Sequence, residues 1–330
     1  FDGDEAAEHF RLIDQPHPGV FEVRLRLATD PLASLYDGLR DGAAAELRAA
    51  LGVLVNAFAI TLPILVVEHP EWQRVAFGIT GARIVYDCLD LATGFADARP
   101  SLAAAEAALL ARADLVIAAS CPLIQRIEEQ HPGILVRNAA EVDFFAQAAA
   151  DRPSGEFPVI GYFGAIAEWF AIDWIEACAV AKPAWRFRLI GQVDNCDVSR
   201  IAALPNVEFL GEVPYCELPA LLREFDVAVI PFRLTPLTRF TNPVKLYEYM
   251  AAGKAVVASP LPELAETRDL VYLADDAVAF AAAIARALSE DSPALRARRR
   301  QWARRHDWSE RARQFAEALA TLTEPKGPGS

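Results

Sequence analysis

The chain has 330 residues, 53% of them apolar, and a formal net charge of −13. That length predicts two domains more readily than one, and the apolar content is ample for two cores. Acidity spread along the chain excludes a nucleic-acid surface, which needs a basic patch. No apolar run reaches the roughly 18 residues of a membrane span, since the most apolar stretch, 51–67, is broken by Asn56, Thr61 and Pro63.

In chain order, residues 20–27 alternate as a strand does, and 43–57 carry helical apolar spacing. Short strands are expected at 63–67, 84–86, 115–118 and 134–136, with helices at 101–112, where Ser101 is a cap candidate, and at 121–130. A polar, turn-rich segment at 148–157 marks the domain boundary, giving domains 1–150 and 151–330. The second half repeats the pattern. Strands are expected at 159–163, 187–190, 207–210, 227–230 and 255–258. Helices are expected near 173–181 and at 217–224, 277–288, 293–304 and 309–322. Repeated strand–helix units imply an α/β fold with parallel sheets covered by helices on both faces.

The five cysteines, Cys88, Cys121, Cys178, Cys196 and Cys216, form no CxxC pair. This fits reduced thiols in a cytoplasmic protein better than a disulfide frame or a zinc site, so no metal is expected. The chain opens on Phe1 with no visible signal peptide and closes on Gly327-Pro328-Gly329-Ser330, which reads as a tail. The basic run 296–305 reads as a solvated helix face, with contact to an anionic membrane surface as the sharper option.

The richest segment is 242–259, NPVKLYEYMAAGKAVVAS, set between two buried strands. Asn242 suits an N-cap, Pro243 the first helical position, and Gly253 a left-handed helix end. A helix start after a parallel strand is an anion site. Lys245 and Glu248 lie three apart, on one face, offering a cation for phosphate and a carboxylate for a sugar diol. Three strands run into glycine: at Gly161 and Gly164, at Gly191, and at Gly211. Glycine there lets backbone approach a ligand closely, and three such ends imply one crevice. No GxGxxG, GxxxxGK[ST], HExxH or GxSxG occurs.

These residues carry a resemblance. GYFGAIAEW (161–169), RFRLIGQV (186–193), NVEFLGEVPYCELPALL (206–222), DVAVIPF (226–232) and the 242–259 segment resemble the nucleotide-sugar domain of a group 1, family 4-like glycosyltransferase. ARIVYDCLDLATGF (82–95), ARADLVIAAS (111–120), VRNAAEVDFF (136–145) and the closing HDWSERARQF (306–315) are similar to the same family. The resemblance implies the GT-B fold: two Rossmann-like domains facing a cleft, with a C-terminal helix crossing back to the first. It also implies site roles. Glu248 would bind the donor ribose. Lys245, the amides at the helix start and the backbone near Gly164 would hold the diphosphate. Val213 and Tyr215 would lie by the base. His69, Asp87 and Asp90 would act on the acceptor side.

Each residue also has a plainer reading. Lys245 and Glu248 could be helix-surface charges, and His69 a structural residue before Pro70. Asp87 and Asp90 could be turn caps, and the tryptophans core, with Trp169 the best candidate for stacking. The sequence also departs from the family. Phe240 stands where an acid precedes Glu248 by eight residues, Ala171 stands where an aspartate is expected, and the basic pair after 163 is absent. Residues 1–30 show no glycine-rich first loop, so the first domain is expected to lack its usual first strand.

The function this implies is metal-independent, retaining transfer of a sugar from a UDP- or GDP-linked donor, with no cofactor, to a glycan or lipid-linked acceptor in polysaccharide biosynthesis. A bacterial cytoplasmic protein, peripheral at the inner membrane face, fits it. The rivals are a degenerate, non-catalytic binding domain and a nucleotide-sugar epimerase.

Overall fold

The computed structural model describes residues 9–28, 39–40, 42–95, 98–149 and 157–322. The chain groups into two compact units. The first holds 1–118, 123–135 and 318–330, and the second holds 119–122 and 136–317. Residues 136–149 therefore group with the second unit. The turn-rich part of the expected junction, 150–156, and the 327–330 tail lie outside the described residues.

The first unit opens with an antiparallel hairpin, β1 (Phe10–His17) and β2 (Val20–Leu25). Only the second of these strands is expected from alternation. Pro18 and Gly19 form the connection, with Gly19 at φ 80, the glycine conformation a tight turn after proline uses. After the helix Ala43–Ala57 comes a parallel sheet of β3 (Ile64–Val67), β4 (Arg83–Cys88), β5 (Leu115–Ala118) and β6 (Ile134–Leu135), in that spatial order. The helix Ser101–Arg112 crosses from β4 to β5, but its N-cap position is Pro100, and no side chain caps it. Ser101 is thus a helical residue rather than the cap. That helix buries Glu106, which accepts from the Tyr86 hydroxyl at 3.0 Å and pairs with Arg126 at 2.6 Å. A carboxylate withdrawn from water needs such partners.

The second unit is built on six parallel strands: β7 (Val159–Phe163), β8 (Arg186–Ile190), β9 (Val207–Gly211), β10 (Val227–Ile230), β11 (Ala255–Ala258) and β12 (Val271–Leu273). Their spatial order is β12-β11-β10-β7-β8-β9. The chain fills one half of the sheet outward from β7, then returns to β10 on the other side of β7. Ligands of open α/β sheets bind at the carboxyl ends of the strands beside such a reversal. Every residue of β7, β10 and β11 is buried, which is why these strands read as unbroken apolar runs rather than as alternation.

Trp169 and Trp174 pack as core wall, in line with the plainer reading of the tryptophans, and one surface expectation changes, that of the basic run. Trp169 packs against the core of the second unit, and its carbonyl accepts from the Arg233 amide at 2.7 Å. It serves as core wall while staying partly exposed. Trp174 packs on Phe280, at 5.4 Å between ring centroids. The basic run is not simply a solvated face. On the helix Pro293–Ala303, Arg299 is 1% exposed and bonded to Asp291 at 2.7 Å. Arg296 shares that carboxylate, also at 2.7 Å, and Arg298 pairs with Asp269 at 2.6 Å. The five cysteines are free thiols, with Cys88 and Cys178 buried. Among the described residues no helix is long and apolar enough to cross a membrane.

Candidate active site

At the carboxyl ends of β7, β8 and β9 lies a pocket of about 340 Å³, closed on one side by the start of the helix Val244–Ala251. Gly164, Gly191, Val213, Tyr215, Lys245 and Glu248 all line it. The structure therefore brings together six of the seven residues read as donor-side from the sequence. The loops are knitted by backbone. Gly164 donates its amide to Ile190 O at 2.9 Å, and Gly191 donates to Gly211 O at 2.7 Å. Gly164 has φ 126 and Gly191 φ 137, a region side chains avoid. A Cβ at Gly164 would stand 2.8 Å from Lys245 Cε, so glycine there makes room for the lysine.

Asn242 is the exception. It is neither the N-cap nor part of the pocket lining. Pro243 occupies the cap position, and no side chain caps the helix. Asn242 instead turns its amide nitrogen to Ala119 O at 2.8 Å and Glu263 Oε1 at 3.3 Å. Glu263 also accepts from the Cys121 amide at 2.7 Å and from Arg137 Nε at 2.6 Å. This buried network fastens the two segments that enter the second unit, 119–122 and 136 onward, beneath the helix start. Because no side chain competes for the first helical amides, they stay available to an anion at the pocket.

Of the charged residues in the lining, Lys245, Glu248 and Glu212, the first two are not paired with each other among the described residues. Among the described residues neither Lys245 nor Glu248 has an ion pair or a side-chain hydrogen bond. The Lys245 ammonium lies 5.4 Å from the centre of the Tyr162 ring and 5.2 Å from that of Phe232. Aromatic faces attract a cation but do not neutralise it. Burial presses Lys245 below the usual lysine range, and Glu248 offsets part of that. Burial pushes the Glu248 carboxyl, only 7% exposed, up to about 7; Lys245 counters the rise and Glu141 adds to it. Tyr215 stacks on Phe144 at 5.2 Å. Its phenol is held well above the usual range by burial first, then by the Glu248 and Glu141 charges.

Gln192 and Glu212 line the pocket without having been singled out from the sequence. Each directly follows a strand-ending glycine, which is the signal that would have found them.

His69, Asp87 and Asp90 lie on the first unit, where β3 and β4 end side by side, Val67 opposite Tyr86. His69 caps a short turn, its Nδ1 accepting from the Glu71 amide at 3.4 Å. Its Nε2 is buried without a partner among the described residues, and burial lowers its pKa. Burial, then the neighbouring Glu68, pushes the Asp87 carboxyl up to about 6. The Asp90 backbone carbonyl faces the Cys88 thiol at 3.6 Å. Phe240 supplies no acid; its carbonyl accepts from the Ser120 hydroxyl at 2.6 Å.

Comparison with solved structures gives the class. Sucrose-phosphate synthase from Thermosynechococcus elongatus superposes with a TM-score of 0.76 at 20% identity, over 94% of this chain and 85% of that one. Anabaena HepE, crystallised in complex with UDP-glucose, superposes with a TM-score of 0.65 at 17% identity, over 84% and 82%. The fold is that of the GT-B proteins, with two Rossmann-like units.

Residues 157–290 match the family described as Glycosyl transferases group 1. TuaH of Bacillus subtilis (strain 168), which carries the provisional name of a teichuronic acid biosynthesis glycosyltransferase, is 29% identical over 254 residues. That alignment takes in 69% of this chain and 64% of TuaH, so the chain spans less than two thirds of that relative.

Proposed function

We propose that the protein is a glycosyltransferase that binds a nucleoside-diphosphate sugar in the second-unit pocket and moves the sugar to a glycan or lipid-linked acceptor. The observation that carries this reading is the pair of unneutralised charges, Lys245 and Glu248, at an uncapped helix start under two close-set glycine turns. A diphosphate fits beside the cation and the free amides, and a ribose diol fits the carboxylate. The solved complex of HepE with UDP-glucose supports that class of donor, and the naming of TuaH supports glycosyl transfer.

The chemistry is positioning and charge stabilisation. The bond from the anomeric carbon to the diphosphate breaks, and the electron pair leaves with the diphosphate. Lys245 and the first helical amides meet the charge that develops there, so this reading requires no metal. The acceptor oxygen bonds to the anomeric carbon and loses its proton. On the first unit, Asp87, with its pKa near 6, is the best-suited carboxylate to receive that proton, and His69 and Asp90 are the alternatives. Retention of configuration, a UDP or GDP base, and a cytoplasmic site of action at a membrane face complete the proposal.

The test is a panel of UDP- and GDP-hexoses, scored by release of nucleoside diphosphate. Turnover is expected with one donor class, and Glu248→Ala is expected to lower it by about a hundredfold or more while the protein stays folded. Donor binding without turnover under any acceptor condition would instead support a non-catalytic binding domain. Isomerised donor as the product would support an epimerase.

A further inference from the structure

We propose that the pocket beside β12 is a second anion site, built for a small phosphate-type dianion and separate from the donor pocket. It measures about 510 Å³ and lies between the edge strand β12 and the helices Ala277–Glu290 and Pro293–Ala303. β12 is one edge strand of the sheet and β9 the other, so four strands stand between this pocket and the strand at the far border of the donor pocket.

Three guanidiniums line the pocket: Arg268, Arg286 and Arg299. Arg299 is the informative one. It is 1% exposed, and among the described residues only its Nη1 donates to protein atoms, to Asp291 at 2.7 Å and to Gly253 O at 3.3 Å. Its Nε is buried with no partner among the described residues. A guanidinium so buried keeps its positive charge at the floor of the pocket, where an anion held by Arg268 and Arg286 would be attracted to it. Asp291 does not cancel that charge, because Arg296 shares the same carboxylate. Arg268 is exposed at the rim and has no hydrogen-bond or ion-pair partner among the described residues.

The carboxylates at the rim are occupied. Asp269 pairs with Arg298 at 2.6 Å. Glu290 pairs with Arg286 at 3.2 Å, and the Tyr272 hydroxyl adds to its stabilisation. In a chain of net charge −13, this corner gathers five guanidiniums around three carboxylates. The local excess is positive, and planar guanidiniums suit phosphate oxygens. Leu270, Val271, Leu273 and Leu295 share the lining with the three arginines, and the arginines make a compact anion the charged group this pocket takes.

The test is calorimetric titration of inorganic phosphate at constant ionic strength against a chloride reference. It is run on the Lys245→Ala protein, so that the donor pocket does not contribute. Saturable binding at one site is expected, weakened by about tenfold or more in Arg268→Gln/Arg286→Gln. Both side chains are exposed, so the melting temperature in chloride is expected to stay unchanged. The Arg268→Lys/Arg286→Lys pair keeps the charge and is expected to recover part of the affinity. Competition by glycerol 3-phosphate or by phosphatidic-acid vesicles separates a free ester from a lipid headgroup. No saturable binding, or binding that both glutamine substitutions leave unaltered, overturns the proposal.

Discussion

Glu248→Gln makes the free protein more stable, and the gain grows with pH. The Glu248 carboxyl is raised from 4.5 to about 7 in the folded chain, chiefly by burial. The folded state therefore holds its proton over a pH range in which the unfolded state has released it. Stability contributed by this group is present below the unfolded value and is lost as pH rises through about 7. Complete ionisation costs roughly 3 kcal/mol for a shift of this size. Glutamine removes the charge at nearly constant shape. Urea unfolding is expected to show an advantage of about 1 kcal/mol at pH 5.5 and about 3 kcal/mol at pH 8. An advantage that does not change with pH would mean the carboxylate is solvated or paired, against the structure. The same substitution is expected to weaken the donor, because a diol bonds a carboxylate more strongly than an amide. Stability given up at a buried charge is what a binding site shows and a surface helix carboxylate does not.

Gly191→Ala is the second large effect. Its φ of 137 disfavours any side chain, and the added Cβ would stand 2.1 Å from Gly164 O. That oxygen belongs to backbone held by the Gly164–Ile190 hydrogen bond, so it has no flexible end to move. Relief requires the β7 and β8 turns to separate, which also breaks the Gly191–Gly211 bond at 2.7 Å. Strain and lost bonds together are expected to cost about 3 kcal/mol or more. Gly211→Ala is the internal control. Its φ is 68, but a Cβ there meets nothing within 4 Å, so about 1 kcal/mol is expected from the backbone alone. Chemical denaturation of the two variants compares them directly. Equal costs would show that the close approach of the two turns is not what requires glycine.

Much of this was legible because the signals are local. Five of the six strands of the second unit sit within a residue of where the sequence placed them, three of them as short apolar runs, while β12 (Val271–Leu273) was not expected. Gly253 ends its helix in the left-handed region, at φ 77, as its position implied. The three glycine-ended strands proved to be neighbours, β7, β8 and β9. What was missed depends on residues far apart in the chain. Asn242 has the right chemistry for a cap, but Glu263 and Ala119 O, from segments 21 and 123 residues away, claim its side chain. The basic run looked solvated because nothing near Arg299 shows that Asp291 and the helix packing bury it. The first hairpin strand was obscured by Pro16 and Pro18, which ordinarily argue against a strand; here Pro16 sits inside it at a register shift and Pro18 belongs to the turn. The fold and the pocket lining are written in local patterns. The partners that decide each side chain's role are set by packing.

The central claim is that the second-unit pocket holds a nucleoside diphosphate through Lys245. Calorimetric titration of UDP, with GDP in parallel, into the wild type and Lys245→Ala tests it most directly. One of the two nucleotides is expected to bind the wild type saturably at one site, and Lys245→Ala to weaken it by about a hundredfold, the loss of a partly desolvated charge-assisted contact. Binding of equal strength in both proteins, or of neither nucleotide to the folded wild type, would contradict the account.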